Sequence, residues 1–169
     1  MIEILRLNHR VARDKRISTH LALSSRALSV EKVFYSGEKD KSLESSVEKI
    51  VERFGGPFTI THTKTPVKLI KEKKKEGFQI VHLTMYGEDI EEYKPKKKVF
   101  AIVGGEKVEG EYYQLADKNL SVGNQPHSEL GALAIFLYKF SKLKTKFKNR
   151  KLEVIPQARG KLLKEISPK

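Results

Sequence analysis

Between Asn8 and Arg16 the chain places four cations, Arg10, Arg13, Lys15 and Arg16, within nine residues, with His9 and Asp14 among them. Like charges grouped this closely repel, so the cluster makes sense where phosphates neutralise it; otherwise it is a solvated basic loop. A second stretch with chemical potential is the turn Gly123, Asn124, Gln125, Pro126, His127, Ser128, Glu129. It joins a glycine for close backbone approach, a proline that fixes φ, and side chains able to cap a helix or reach a ligand. The third is Gly104-Gly105, which directly follows the apolar run Val99 to Val103. That pair is no dinucleotide fingerprint, because GGEKVEG lacks the third glycine spacing, and no phosphate-loop pattern occurs anywhere in the chain.

Other chemistries are poorly supplied. The five histidines, His9, His20, His62, His82 and His127, show no HxxxH or HExxH spacing, and there is no cysteine, so no metal is expected. No GxSxG elbow exists, and Ser128 reads as a helix cap. His82 alternates within a strand and reads as a satisfied packing residue. With 169 residues, 38% hydrophobic, the chain forms one globular domain with room for a small appendage. The formal net charge of +13 favours a polyanionic partner, nucleic acid first, although a Lys/Glu-rich thermophile surface gives a similar 33% of charged residues. The apolar runs are short and the N-terminus lacks the extended apolar region of a signal peptide, which predicts a soluble, cytoplasmic protein away from membranes.

The elements that must position these groups alternate. Strands are expected at Ile2 to Leu7, Glu31 to Tyr35, Phe58 to Thr61, Phe78 to Met85 and Val99 to Val103, the last of a type covered on both faces. Asn8 to Arg16 reads as a basic loop, followed by a helix from about Ser18 with Ser18 or Thr19 as cap and Leu21, Ala22, Ser25 and Leu28 inward. Ser42 can cap an amphipathic helix carrying Leu43, Val47, Ile50, Val51 and Phe54, ended by Gly55-Gly56. A lysine-heavy helix runs from Val67 to Lys75, and the GEDIEEYKPKK segment allows a helical turn before Pro95. The segment EKVEGEYYQLADKN reads as polar connection. Asn119 to Phe140 then runs from a short strand through the Gly123 turn into a helix apolar on almost every side, predicting a deeply placed turn and a second packing partner for the helix. After Ser141, KLKTKFKNRK reads as a basic linker or RNA-facing arm, and Leu152 to Ile155, PQARG and Lys161 to Ile166 have the pattern of a hairpin. Regular βα alternation implies an α/β fold with a parallel sheet and helices on both sides, with ligands at the carboxyl ends of the strands. Three loops leave such ends: Asn8 onward, Gly104-Gly105-Glu106, and Gly123 onward.

Five segments, LRLNHRVARDKRISTH near the start, HLTMYG from His82, VGGEKV from Val103, SVGNQPHSELGALA from Ser121 and VIPQARGK from Val154, together resemble one family. They are similar to the archaeal tRNA cytidine 56 2'-O-methyltransferases, within the SPOUT superfamily of knotted RNA methyltransferases that use S-adenosyl-L-methionine (AdoMet). The resemblance spans nearly the whole chain in the same order. It departs at Gly105, Glu109 and Gly110, where the family pattern has an alanine and then a proline.

The resemblance implies a SPOUT-type α/β trefoil-knot domain over residues 1–141, with the knot at roughly 78–141, then a basic linker and C-terminal β-hairpin over 142–169. It implies a homodimer acting on tRNA. It also implies AdoMet bound among Leu83, the loop Gly104, Gly105, Glu106, Lys107 and Val108, and the loop Val122, Gly123, Asn124, Gln125, Pro126, His127, Ser128 and Glu129. Related knotted ribose methylases use an arginine near the N-terminus, which here points to Arg16 first and Arg10 second. Free arginine is a very poor base, so its expected part is to clamp phosphate and ribose, while His20 is the candidate proton acceptor. Two other readings stay open on residues alone: a SPOUT enzyme acting on another RNA site, such as a ribosomal RNA ribose or a base, and a basic RNA-binding module without catalysis.

Overall fold

The computed structural model describes residues 1–105, 107–144 and 146–166. The strands are β1 (Ile2–His9), β2 (Lys32–Gly37), β3 (Thr59–His62), β4 (Gln79–Asp89), β5 (Val99–Val103) and β6 (Lys118–Ser121). All six pair in parallel, in the order β3-β2-β1-β5-β4-β6. The helices are α1 (Val11–Ala27), α2 (Lys41–Phe54), α3 (Pro66–Lys75), α4 (Gly110–Leu115) and α5 (Glu129–Phe140).

Strand alternation sorts side chains onto two faces. Ile4, Val99, Ala101 and Val103 join Leu21, Leu43, Val47, Leu133 and Phe136 beneath α1, α2 and α5. Leu5, Leu7, Phe100 and Ile102 join Ile70 and Tyr112 beneath α3 and α4. Every residue of β5 is buried, as its unbroken apolar run predicts for a strand covered on both sides. The order reverses where β5 sits between β1 and β4, so the carboxyl ends of these strands open at a topological switch point.

Five expectations are corrected. The basic segment after Asn8 is no loop: β1 continues to His9, Asn8 takes a left-handed φ of 56°, and α1 begins at Val11. Ser18 therefore lies inside α1, buried, with its Oγ 2.9 Å from His9 Nδ1, and Thr19 likewise lies inside the helix and caps nothing. The cap of α2 is Asp40, whose Oδ1 accepts from the Ser42 and Leu43 N–H groups, while Gly55 ends the helix with φ 84° as foreseen. The segment expected as polar connection before Asn119 contains the helix α4, whose six residues are too few to show a period. The turn from Gly123 to Ser128 is exposed rather than deep.

The basic run after Ser141 is fastened to the domain. Gly56 and Lys148 exchange both backbone hydrogen bonds at 2.9 Å, the Arg26 guanidinium lies 4.3 Å from the Phe147 ring centroid, and Ser141 Oγ donates to Leu28 O. Beyond it β7 (Leu152–Ile155) and β8 (Leu162–Glu165) form the antiparallel hairpin. Among the described residues no helix is long and apolar enough to cross a membrane.

Candidate active site at the switch point

Arg6, Val103, Leu83 and Leu120 stand in one row across β1, β5, β4 and β6. Three of them belong to the apolar face under α1 and α5, so Arg6 is a cation pushed into a hydrophobic layer. It is 2% exposed, and burial lowers its pKa from the ordinary value, a shift opposed by Glu129. Its Nη2 meets Glu129 Oε1 at 3.0 Å and its Nη1 donates to Leu7 O, while Nε has no hydrogen-bond partner. Glu129 is the first residue of α5, held there by Ser128, whose Oγ accepts from the N–H groups of Leu130 and Gly131.

Above this row lies a cavity of about 570 Å³, bounded by Arg6, Leu83, Gly104, Val108, Pro126 and Glu129 among others. That volume is within the range of small-molecule sites, about 300–1,000 Å³. Its wall is built by a departure from regular pairing. Leu83 and Glu88 of β4 both register with Leu120 of β6, so Thr84 to Gly87 loop out between them. Thr84, Met85 and Tyr86 thereby face the cavity. Asn124 clamps the bulge to the opposite turn, donating from Nδ2 to Met85 O at 2.8 Å and Gly87 O at 3.1 Å. At Gly104 a Cβ would stand 2.0 Å from Val108 Cγ2, so only glycine lets this loop fold back on itself.

Polar groups converge from the other side. The buried Asp14 carboxylate accepts the Arg10 backbone N–H and lies 3.5 Å from Arg10 Nε and 3.8 Å from Arg13 Nε. One carboxylate thus gathers two of the N-terminal cations at the cavity mouth. His82 is buried, bonded through Nδ1 to Asn119 Oδ1 at 3.0 Å and edge-on to the Tyr113 ring at 4.6 Å. Burial lowers its pKa, an effect the Asn119 bond opposes in part.

Of the residues expected from sequence, Leu83, Gly104, Gly105, Val108, Pro126, His127, Glu129 and Arg10 line this cavity. Lys107 instead borders an adjoining cavity of about 320 Å³ that shares Arg10 and Gly105. Val122, Gly123, Asn124, Gln125 and Ser128 shape or brace the turn without bordering the space, and Glu106 lies outside the described residues. Arg16 and His20 are exposed on α1, away from the cavity of their own chain. Arg13 and Asp14, visible in the sequence as part of the basic cluster, also border the cavity, whereas Arg6, Tyr113 and the inward role of His82 were not anticipated. The signal for Arg6 was present: a lone cation alternating into an otherwise apolar strand, Ile4-Leu5-Arg6-Leu7. Among the described residues no group of three or more metal-ligating side chains is gathered.

Known proteins resemble this chain in sequence and in fold. Residues 54–164 match the family model described as tRNA ribose 2'-O-methyltransferase, aTrm56. The tRNA (cytidine(56)-2'-O)-methyltransferase of Thermococcus kodakarensis is 45% identical, with 98% of each chain covered. That of Methanococcus maripaludis is 50% identical, with 92% of each covered. Among solved structures, the Aquifex aeolicus TrmH/SpoU tRNA modifying enzyme superposes with a TM-score of 0.64 at 20% identity, over 82% of this chain and 72% of that one. The SpoU methyltransferase AviRb of Streptomyces viridochromogenes, solved in complex with AdoMet, superposes at 0.62 and 14% identity, over 82% of this chain and 56% of that one. The parallel sheet therefore has the fold of these SpoU-type enzymes, and by sequence the chain belongs to the tRNA ribose 2'-O-methyltransferase family, aTrm56.

Proposed function

We propose that this protein transfers the methyl group of AdoMet to the 2'-hydroxyl of cytidine 56 in tRNA. The observation that carries the reading is the cavity between the Gly104–Val108 and Val122–Glu129 loops, on a chain of this family. The residues fit the cofactor. Leu83, Val108, Pro126 and Ala132 give apolar walls, Gly104 gives close backbone approach, and the carboxylates of Glu129 and Asp14 border a space otherwise rich in arginine. Leu83 and the two loops, including Glu106 and Lys107, are assigned to hold it. Bound AdoMet supplies an electrophilic methyl group on a sulfonium centre.

The protein's task is then to position the ribose and take up one proton. Forming the new O–C bond would release the hydroxyl proton and break the methyl–sulfur bond of AdoMet, cancelling the sulfonium charge, a change that exclusion of water would favour. Arg16, supported by Arg10, clamps the phosphate and ribose and stabilises negative charge developing on the 2'-oxygen. His20 accepts the proton.

Arg16 and His20 stand outside their own chain's cavity, which supports a homodimer in which α1 of one subunit faces the pocket of the other. The exposed Ile135 and Tyr138 on α5 offer an apolar surface for such a contact. In this reading residues 1–141 form the catalytic domain, knotted at about 78–141, residues 142–169 form the appendage, and the enzyme works in the cytoplasm. The deciding experiment incubates the protein with unmodified tRNA transcript and methyl-labelled AdoMet and maps the label. Label on the 2'-oxygen of nucleotide 56 is expected; label on a base nitrogen or on another nucleotide overturns the assignment.

A further inference from the structure

Outside the cavity, a row of lysines lies along α3. Lys68, Lys71 and Lys75 share one face of that helix at intervals of three and four residues, and Lys64 continues the row just before it. All four are exposed and border a groove of about 750 Å³ whose floor includes Pro66, Val67 and Tyr112.

General surface composition does not account for this row. Helix α2 carries Lys41, Lys49 and Arg53 against Glu44, Glu48 and Glu52, a balanced set, whereas α3 carries five lysines against Glu72 alone. The remaining α3 lysines are consumed internally: Lys73 is buried against Glu3 and Glu76, and Lys74 pairs with Asp117 at 2.6 Å. Lys64, Lys71 and Lys75 have no ion-pair partner among the described residues, and Lys68 meets Glu72 only at 3.9 Å, both exposed. Like charges at these spacings disfavour the helix by a few tenths of a kcal/mol per pair, a cost without return unless an anion lies in the groove.

We propose that the Lys64–Lys68–Lys71–Lys75 row is a phosphate-backbone contact for the RNA substrate, separate from the catalytic cavity. Lys68 to Lys75 spans about 10 Å of helix, over which one nucleic-acid strand, at about 3.4 Å of axis per phosphate, presents about three phosphates. The placement is continuous with the active site. α3 starts at the carboxyl end of β3, the same edge of the sheet as the cavity, and α4 stands between the two sites. Its consecutive tyrosines divide them, Tyr112 bordering the groove and Tyr113 the cavity. RNA whose reacting ribose enters the cavity has its flanking backbone carried across α4 into the groove. The inference rests on the proposed RNA substrate.

The test compares two charge-matched triple variants, Lys64→Ala/Lys71→Ala/Lys75→Ala in the groove and Lys94→Ala/Lys96→Ala/Lys97→Ala just before β5, at the opposite, amino end of the strands. Alanine is a strong helix former, so α3 is not endangered. Direct tRNA binding is measured against salt, alongside AdoMet calorimetry and methyl transfer. The groove variant should bind tRNA at least tenfold more weakly at 0.1 M salt. Its slope of log affinity against log salt should be shallower by about 2, as expected for three lost phosphate contacts. AdoMet affinity and kcat should be unchanged, and the control triple should behave as the parent. Equal losses in both triples, or none in the groove variant, overturn the proposal. Absence of methyl transfer by the parent protein counts against the enzymatic reading instead, and leaves the binding comparison to decide the groove.

Discussion

The Arg6 guanidinium and the Glu129 carboxylate meet at 3.0 Å, tying the central strand to the first turn of α5 across the floor of the cavity. Their environments differ: Arg6 is 2% exposed and Glu129 27%. Removing the carboxylate strands a cation in the core, whereas removing the cation leaves a carboxylate that water can reach. Breaking a buried pair from the costly side loses about 3 kcal/mol. Glu129→Ala should approach that figure in urea unfolding, and Arg6→Met, which keeps volume and drops charge, should cost less. The double variant should recover part of the Glu129→Ala loss; strict additivity would show that the pair is not coupled.

Gly104 is a site where space, rather than φ, demands glycine. A Cβ there meets Val108 Cγ2 at 2.0 Å, and Val108 is itself packed against the core under α3 and α4. Gly104→Ala must displace the loop and is expected to weaken AdoMet binding at least tenfold in calorimetry. Gly110→Ala, where a Cβ meets nothing within 4 Å, is the matched control and should leave affinity unchanged.

How much of this was legible depended on what each element buries. The strands were readable because β1 and β5 are nearly continuous apolar runs, and α2 because its apolar residues recur with the helical period. α1 was misread at its start because the residues it buries first are Asp14 and Ser18, polar groups satisfied by Arg10 and His9 rather than by a greasy core. The loops at Gly104 and Gly123 were visible as candidate ligand turns. The Thr84–Gly87 bulge was not, because the register slip that creates it belongs to the pairing of β4 with β6 and leaves no local pattern.

His82 gives the fold an acid-sensitive point. Burial lowers its folded pKa below the ordinary 6.5, and the bond to Asn119 only partly offsets this. The unfolded chain therefore takes up the proton first on acidification, so the histidine's contribution is intact above about pH 6.5 and is lost as pH falls through the folded value. Melting temperatures measured from pH 8 to pH 5 should fall on the acid side, and His82→Gln should flatten that fall while lowering stability at pH 8. An unchanged acid limb in the variant would assign the effect to other groups.

Arg16 separates the candidate chemistry from the candidate pocket. Arg10 and Arg13 border their own chain's cavity, held by Asp14, while Arg16 lies exposed on α1 beyond it. If Arg16 acts on the ribose in the partner's pocket, Arg16→Ala abolishes methyl transfer and leaves AdoMet affinity nearly intact. The same arrangement makes complementation possible. Mixing Arg16→Ala with Gly104→Ala, after dissociation and reassembly, creates heterodimers in which the intact pocket of the first chain faces the intact Arg16 of the second. Assayed at an AdoMet concentration too low to load Gly104→Ala, each variant alone should be silent and activity should return in the mixture. A mixture that stays silent while heterodimers are demonstrably present would place Arg16 in the service of its own chain.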